Sequence, residues 1–180
     1  MIVVVDEAYV DFGAESALSL IDKYDNLLVV QTFSKSRGMA GMRIGYAVGN
    51  PVLIKYMNDV KYSFNSYTMD QTTIALGKAA VEDKEYFETT VNKVVETREW
   101  TKKELSRLGF VFGDSKTNFI FASHKECPAR ELFVALRKAN IIVRYFDKPR
   151  IDNYLRITIG TQEEMETLVR FLENYLSKGV

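Results

Sequence analysis

The sequence predicts an α/β protein, and the main observation behind this prediction is a pair of apolar runs separated by a helix-length segment. Residues 2–5 and 27–30 are short, apolar and rich in valine, as is typical of buried strands. Between them, residues 14–24 carry apolar side chains at helical spacing, which predicts a short crossover helix. Two strands joined by such a crossover pair in parallel, so we expect both to end at the same edge of one sheet.

The rest of the chain alternates between predicted strands and helices. Strands are predicted at residues 42–48, 110–112, 118–122, 141–146 and 155–159, and helices at 51–61, 72–81, 84–108, 128–139 and from 162 onward. Asn50-Pro51 and the pair Thr161 and Glu164 are expected to begin helices, and Gly109 and Gly179 to follow helix ends. In the helix at 72–81, Ile74, Ala75, Ala79 and Ala80 are expected to form the apolar side.

Composition excludes several classes of function. Lysine plus arginine and aspartate plus glutamate each number 24, so the formal charge is zero, and neither nucleic acid nor an anionic membrane is favoured as a partner. The apolar runs are too short for a transmembrane span, and the first residues do not resemble a signal peptide. Cys127 is the only cysteine, which excludes an internal disulfide and indicates a cytoplasmic protein. The only histidine, His124, is expected in a turn and has no neighbours at metal-ligand spacing, so no metal site is expected.

The first candidate site follows the second strand. Two residues with hydroxyl side chains, Thr32 and Ser34, come before Lys35, and Gly38 and Arg43 come shortly after it. Open α/β sheets place their ligands at the carboxyl ends of strands, which is where this lysine is expected. An amine nucleophile beside a phosphate-binding guanidinium suits a Schiff-base cofactor that carries a phosphate. An ordinary solvated loop lysine is the alternative, and Lys35 alone does not exclude it.

The first strand supplies two further candidates at the same edge. Asp6 lies at its carboxyl end, and Tyr9 comes three residues later. An aspartate there could keep a pyridine nitrogen protonated, which makes the ring an electron sink, and the tyrosine could reach a phenolic oxygen of that ring. We therefore expect Asp6, Tyr9 and Lys35 to lie around one ligand.

Three segments resemble those of the fold-type I aminotransferases (class I/II), which use pyridoxal 5′-phosphate (PLP). They are Asp-Glu-Ala-Tyr at residues 6–9, Ser-Lys at 34–35 with Arg43, and Tyr-Leu-Arg-Ile-Thr-Ile-Gly at 154–160. Within that family the sequence is most similar to histidinol-phosphate aminotransferases. The resemblance implies that Lys35 forms the Schiff base, Asp6 pairs with the pyridine nitrogen and Tyr9 contacts the ring oxygen. It also implies that Thr32, Ser34 and Arg43 hold the cofactor phosphate.

Two arginines further along are candidate substrate contacts. Arg156 interrupts an apolar strand, where an unpaired charge would be costly, so it pairs either with a carboxylate of the protein or with a substrate anion. The resemblance favours the second interpretation and assigns Arg156 to the substrate α-carboxylate or its equivalent. Arg144 matches a family arginine near the phosphate end of the substrate, and an exposed strand-end arginine is the alternative.

The resemblance also implies how the chain is organised. Residues 1–83 would be the remaining part of a large PLP-binding domain, residues 84–108 a connecting helix and residues 109–180 a small C-terminal α/β domain. A whole aminotransferase has a comparable length of chain before the first strand, and that part carries further cofactor contacts. We therefore expect this chain to be the C-terminal portion of such an enzyme and to be inactive alone.

The implied activity is the transfer of an amino group between an amino acid and a 2-oxo acid. The favoured pair is histidinol phosphate with glutamate or 2-oxoglutarate, in histidine biosynthesis, and the family implies a homodimer. An aromatic aminotransferase and a threonine-phosphate decarboxylase-like lyase stay open as alternatives within the family. A fragment without catalytic activity and an unrelated α/β binding module stay open outside it.

Overall fold

The computed structural model describes residues 1–177, which form helices and sheets in two compact units, one of residues 1–91 and one from Asn92 onward. The predicted α/β class is confirmed. The three-part division of the chain stays a prediction, and Gly179 lies outside the described residues. No helix within residues 1–177 is long and apolar enough to cross a membrane.

The sheet of the first unit positions the candidate cofactor residues. All residues of this unit are described, and three strands occur in it: β1 (Val3–Asp6), β2 (Leu27–Thr32) and β3 (Gly45–Gly49), in that order. The predicted parallel pairing of β1 with β2 is confirmed, whereas β3 runs antiparallel to β2. The crossover is a 3₁₀ helix, Ala17–Lys23. Asp6 pairs with Val30 in the ladder, so β1 and β2 end at the same edge.

The predicted burial of the first strand is wrong. Val3 and Val4 of β1 are 45% and 58% exposed, whereas Leu27 and Val29 of β2 are 5% and 0% exposed. β1 is an edge strand of this sheet and β2 is its central strand. A run of valines predicts a strand. Whether that strand is buried depends on which other helices and strands pack against it, and the run itself does not specify these.

Three helices follow the sheet: α1 (Pro51–Phe64), α2 (Gln71–Glu82) and α3 (Lys84–Arg107). The predicted start of α1 is confirmed, because the Asn50 side chain accepts a 2.9 Å hydrogen bond from the Val52 amide. The buried residues of α2 are Thr73 and Gly77, whereas Ile74 of the predicted apolar side is 46% exposed. A Cβ atom at position 77 would lie 2.9 Å from Cδ1 of Ile44, so a larger residue there would require the end of the Ile44 side chain to move.

In the second unit, helices pack on one face of a four-stranded antiparallel sheet. The strands are β4 (Phe110–Phe112), β5 (Phe119–His124), β6 (Arg144–Tyr145) and β7 (Leu155–Thr158), in the spatial order β4-β5-β7-β6 within the described residues. The helices are the end of α3, α4 (Ala129–Lys138) and α5 (Gln162–Leu176). Their core includes Leu105, Ile120, Leu132, Leu136, Leu155 and Leu172, all at most 1% exposed.

The start of α5 lies where the sequence predicts it, whereas β6 is shorter than predicted. The capping box of α5 is confirmed: the Thr161 amide donates to Glu164 at 2.8 Å and the Glu164 amide donates to Thr161 at 3.3 Å. The strand predicted at 141–146 is shorter than expected, because only Arg144–Tyr145 pairs with β7. Ile142 is 72% exposed, and residues 141–143 have no ladder partner in the described part of the chain. Strand propensity alone does not supply a partner.

His124 is the last residue of β5 and is buried, not part of a turn. Its Nδ1 accepts hydrogen bonds from the amides of Glu126 and Cys127, at 3.2 and 3.0 Å. The proton therefore lies on Nε2, which donates to the Leu108 carbonyl at 2.9 Å. The imidazole thus joins the end of α3 to the end of β5, and both ring nitrogens have a structural function.

Replacing Gly109 with alanine is expected to lower the free energy of unfolding by about 1–3 kcal/mol. Gly109 has a φ of 89°, which strains an L-residue, and a Cβ there would lie 3.0 Å from Nε2 of His124. Urea unfolding at neutral pH measures the change. The matched control is Gly113→Ala, since nothing lies within 4 Å of a Cβ at that position. Equal stability of the two variants would contradict this role of Gly109.

Candidate functional site

Lys35 lies in a loop, residues 33–44, which we call the lysine loop and which connects β2 to β3. A hydrogen bond of 3.1 Å from the Phe33 amide to the Ile44 carbonyl closes its base, and Phe33 is buried. The Gly38 amide donates to the Lys35 carbonyl at 3.1 Å, with Gly38 at a φ of 65°, so the chain turns directly after the lysine. The Lys35 ammonium is exposed and lies 5.4 Å from the ring centroid of Tyr9.

Asp6 and Tyr9 belong to the segment that leaves β1 at the same edge of the sheet. The Asp6 carboxylate accepts a 3.0 Å hydrogen bond from the Ala8 amide through Oδ1, which makes a local turn. Its Oδ2 has no hydrogen-bond partner among residues 1–177. The fold thus brings the Asp6 segment and Lys35 to one edge, and the Tyr9 ring lies beside the amine.

The expected phosphate contacts lie in or at the base of the lysine loop. The Thr32 hydroxyl accepts from the Ser34 amide at 3.1 Å and is 2.9 Å from the Ser34 hydroxyl, so it shapes the loop beside the lysine. Arg43 follows a 3₁₀ turn, Ala40–Met42, and has a left-handed backbone with a φ of 56°. This turn delays the start of β3 to Gly45, later than predicted. Arg43 is exposed and donates to the Ala40 carbonyl at 2.9 Å through Nη1.

Two neighbours of Lys35 that the sequence did not single out anchor the loop. The Ser36 hydroxyl donates to the Asp11 carboxylate, which ties the loop to the segment after β1. The Arg37 guanidinium lies 4.1 Å from the ring centroid of Phe87 and donates to the Ala80 carbonyl, which ties the loop to α2 and α3. These partners are 25 to 50 positions away along the chain, so no local pattern could identify them.

Glu7 is a third residue whose importance the sequence did not indicate, since it appeared only as part of a motif. Its buried carboxylate accepts hydrogen bonds from the Ser16 hydroxyl at 2.7 Å, the Ala17 amide at 2.6 Å and Nε2 of Gln31 at 2.8 Å. Burial by itself would raise the pKa of Glu7, but these hydrogen bonds outweigh it, and the pKa lies below its ordinary value. Glu7 therefore ties the end of β1 to the crossover and to β2 as an anion.

The second unit carries the other two candidates. Arg144 and Arg156 lie directly opposite each other on β6 and β7. The guanidinium carbon of Arg156 is 5.5 Å from the ring centroid of Phe119 and 5.9 Å from that of Phe146, and Arg144 is 5.5 Å from Phe146. Neither arginine forms an ion pair within the described residues, and Nε of Arg156 is buried there without a hydrogen-bond partner. Pairing of Arg156 with a carboxylate of residues 1–177 is therefore excluded.

Replacing Glu7 with glutamine is expected to lower the free energy of unfolding by about 1–3 kcal/mol at pH 7, because three donors lose an anionic acceptor. The pKa of Glu7 is lowered in the folded state, so its stabilisation is complete above the ordinary glutamate value, about 4.3, and is lost as the pH falls through the folded-state value. The variant should therefore lose less stability than the parent between pH 7 and about pH 3.

Urea unfolding at the two pH values measures this difference. Glu15→Gln is the matched control, because Glu15 is an exposed glutamate of the same segment. If Glu7→Gln and Glu15→Gln had the same stability and the same acid dependence, the anionic role of Glu7 would be wrong.

Comparison with known proteins identifies the family. A model of the family described as aminotransferase class I and II matches residues 1–172. The histidinol-phosphate aminotransferase of Brachyspira hyodysenteriae is 56% identical over 179 residues, which is 99% of this chain and 50% of that protein. The chain spans about half the length of the curated relatives it matches.

Solved structures agree with this family. The histidinol-phosphate aminotransferase from Clostridium acetobutylicum superposes with a TM-score of 0.88 over 98% of this chain and 55% of that one, at 21% identity, and this likeness concerns the fold alone. The enzyme of the same name from Sinorhizobium meliloti, solved in complex with pyridoxal-5′-phosphate, gives a TM-score of 0.80 at 25% identity, over 97% of this chain and 50% of that one. The resemblance recognised in the sequence is confirmed, and the chain belongs to the aminotransferase class I and II family.

Proposed function

We propose that the protein provides the lysine-bearing part of a PLP-dependent aminotransferase, which transfers an amino group from histidinol phosphate to 2-oxoglutarate. The main support is one observation: the Lys35 amine lies over the Tyr9 ring at the sheet edge where the Asp6 strand also ends. The choice of amino donor is supported by the name of the relatives, which are 49–56% identical to this chain.

The residues at this edge fit PLP in charge and in hydrogen-bonding capacity. Oδ2 of Asp6 can accept a hydrogen bond from a protonated pyridine nitrogen, since Oδ1 alone is used by the protein. Arg43 is exposed and donates only one hydrogen bond within the described residues, which leaves donors for a phosphate. Its left-handed backbone is of the uncommon kind that clusters at functional sites.

The protein residues then have distinct tasks. PLP, when bound, supplies an aldehyde that takes up the amino group and a ring that withdraws electrons. Lys35 would be the nucleophile that holds the cofactor, and its Nζ would move a proton at the substrate carbon. Asp6 keeps the ring nitrogen protonated, and Tyr9 donates to the ring oxygen. Ser34 and Arg43 hold the phosphate, and Thr32 contributes by fixing Ser34.

Arg144 and Arg156 hold the anionic group of the substrate in this proposal. Both are cations without an ion pair in the described residues, and a buried donor such as Nε of Arg156 costs about 1–3 kcal/mol when unsatisfied. A phosphate monoester offers oxygens to both guanidinium groups.

A homodimer and a cytoplasmic location complete the proposal. The exposed apolar side chains of α1, among them Val60 at 61% and Phe64 at 79%, offer a surface that a second subunit could cover. The single, buried Cys127 is consistent with a reducing compartment.

Incubation with PLP followed by borohydride should attach the cofactor covalently to Lys35, because reduction fixes the bond between an amine and an aldehyde. Peptide mass mapping locates the labelled residue, and visible absorption before reduction reports binding. Lys35→Ala should abolish both signals. Lys23→Ala, which removes another exposed lysine of the same unit, should leave both unchanged. If the Lys35→Ala variant were labelled at another residue as strongly as the parent protein is labelled, the proposed role of Lys35 would be refuted.

A further inference from the structure

We propose that Phe146 is a positioning residue, whose ring holds the guanidinium groups of Arg144 and Arg156 as a pair that selects a doubly charged anion over a singly charged one. This role rests on the proposed function, because the phosphate of the amino donor is the anion in question. The preferred ligand class is therefore a phosphate monoester, which carries two charges where a carboxylate carries one.

The two arginines are held in an arrangement that is unfavourable without a ligand. They are directly opposed on neighbouring antiparallel strands, where like charges repel. No carboxylate among residues 1–177 forms an ion pair with either of them. An anion that touches both guanidinium groups would remove this repulsion, and a dianion would do so more completely than a monoanion.

Phe146 offsets part of the repulsion in the absence of an anion. The guanidinium carbons of Arg144 and Arg156 lie 5.5 and 5.9 Å from the centroid of this one ring. The face of an aromatic ring carries negative potential and attracts cations at such distances. Contact with this one ring restrains both guanidinium groups, and each has donors for the oxygens of a single phosphate group.

The Phe146 ring is itself supported by other aromatic residues. It contacts Phe121 edge to face, with the ring centroids 6.2 Å apart, and Phe121 stacks on Tyr154 at 4.7 Å. Arg156 is additionally over Phe119, and its buried Nε lacks an acceptor within the described residues. The pair of arginines is thus preorganised, and the remaining requirement is an oxygen-rich anion.

The test measures anion binding by the chain without PLP, using calorimetric titration with methyl phosphate and with acetate at pH 8. Methyl phosphate is doubly charged there, because the second pKa of a phosphate monoester is about 6. Phe146→Leu should weaken methyl phosphate binding about tenfold, as expected when two cation–ring contacts are lost, and change acetate binding by less than about twofold. Phe146→Tyr keeps the ring and should retain the preference for methyl phosphate.

Further variants separate positioning from general damage. Phe133→Leu is the matched control, because it removes an aromatic ring that stacks on Tyr145, the residue next to Arg144 in β6, with the ring centroids 5.6 Å apart. This variant should bind both anions like the parent. Phe146→Met keeps the bulk without the ring and replaces Phe146→Leu if that variant does not fold. Arg144→Gln and Arg156→Gln should each weaken methyl phosphate binding.

The inference is overturned if the folded Leu or Met variant keeps the parental preference for methyl phosphate, or if the parent chain has no such preference. If the arginine variants lose methyl phosphate while the Phe146 variants bind normally, only the role of Phe146 fails and the anion site of the proposed function stands. If the arginine variants bind like the parent, both the role of Phe146 and the proposed substrate contacts fail. Labelling of Lys35 by PLP is independent of all these outcomes.

Discussion

The parallel pairing of β1 with β2 is the constraint on which the candidate cofactor site depends. Because both strands run in the same direction, Asp6 and the lysine loop reach one edge of the sheet. A slip of one residue in this pairing would turn the Asp6 side chain to the opposite face. Glu7 opposes such a slip, since its buried carboxylate is bonded to Gln31 of β2 and to the crossover at the same time. The residue next to the proposed cofactor contact therefore fixes where that contact lies.

Chemical and structural roles are divided between adjacent residues of the lysine loop. Phe33 is buried, Ser36 is bonded to Asp11, and Arg37 is held by Ala80 and Phe87. Lys35 itself is exposed and forms no ion pair within the described residues. The neighbours hold the backbone, so the amine is available without having to stabilise the loop. Preorganisation of this kind is what a nucleophile in a defined position requires.

The features that the sequence predicted correctly are those encoded locally. The cap at Asn50, the capping box at Thr161 and the parallel β1–β2 pair follow from residue types within a few positions or from the length of one crossover. The family could also be recognised, because its motifs are short and contiguous. The roles assigned to the individual site residues stay predictions.

The features that the sequence missed depend on partners that are distant along the chain. An exposed edge strand and a buried central strand have the same apolar pattern, so the burial of β1 could not be inferred. On α2 the pattern marked the apolar residues, whereas the buried residues are Thr73 and Gly77, and Gly77 lies close to the side chain of Ile44. Glu7 was a charged residue in a loop motif, and its role became visible only with Ser16 and Gln31 beside it.

The physical support for a bound ligand is weaker at Lys35, in the first unit, than at Arg156, in the second. An exposed ammonium such as that of Lys35 is solvated at no cost, so its position alone does not demand a partner, and its assignment depends on the family motif. Arg156 differs, because a buried Nε without an acceptor and a like charge directly opposite both cost free energy in the absence of an anion. An anion bound between the two arginines would reduce both costs. The substrate end of the proposed activity therefore has the stronger support from electrostatics, and the cofactor end has the stronger support from sequence.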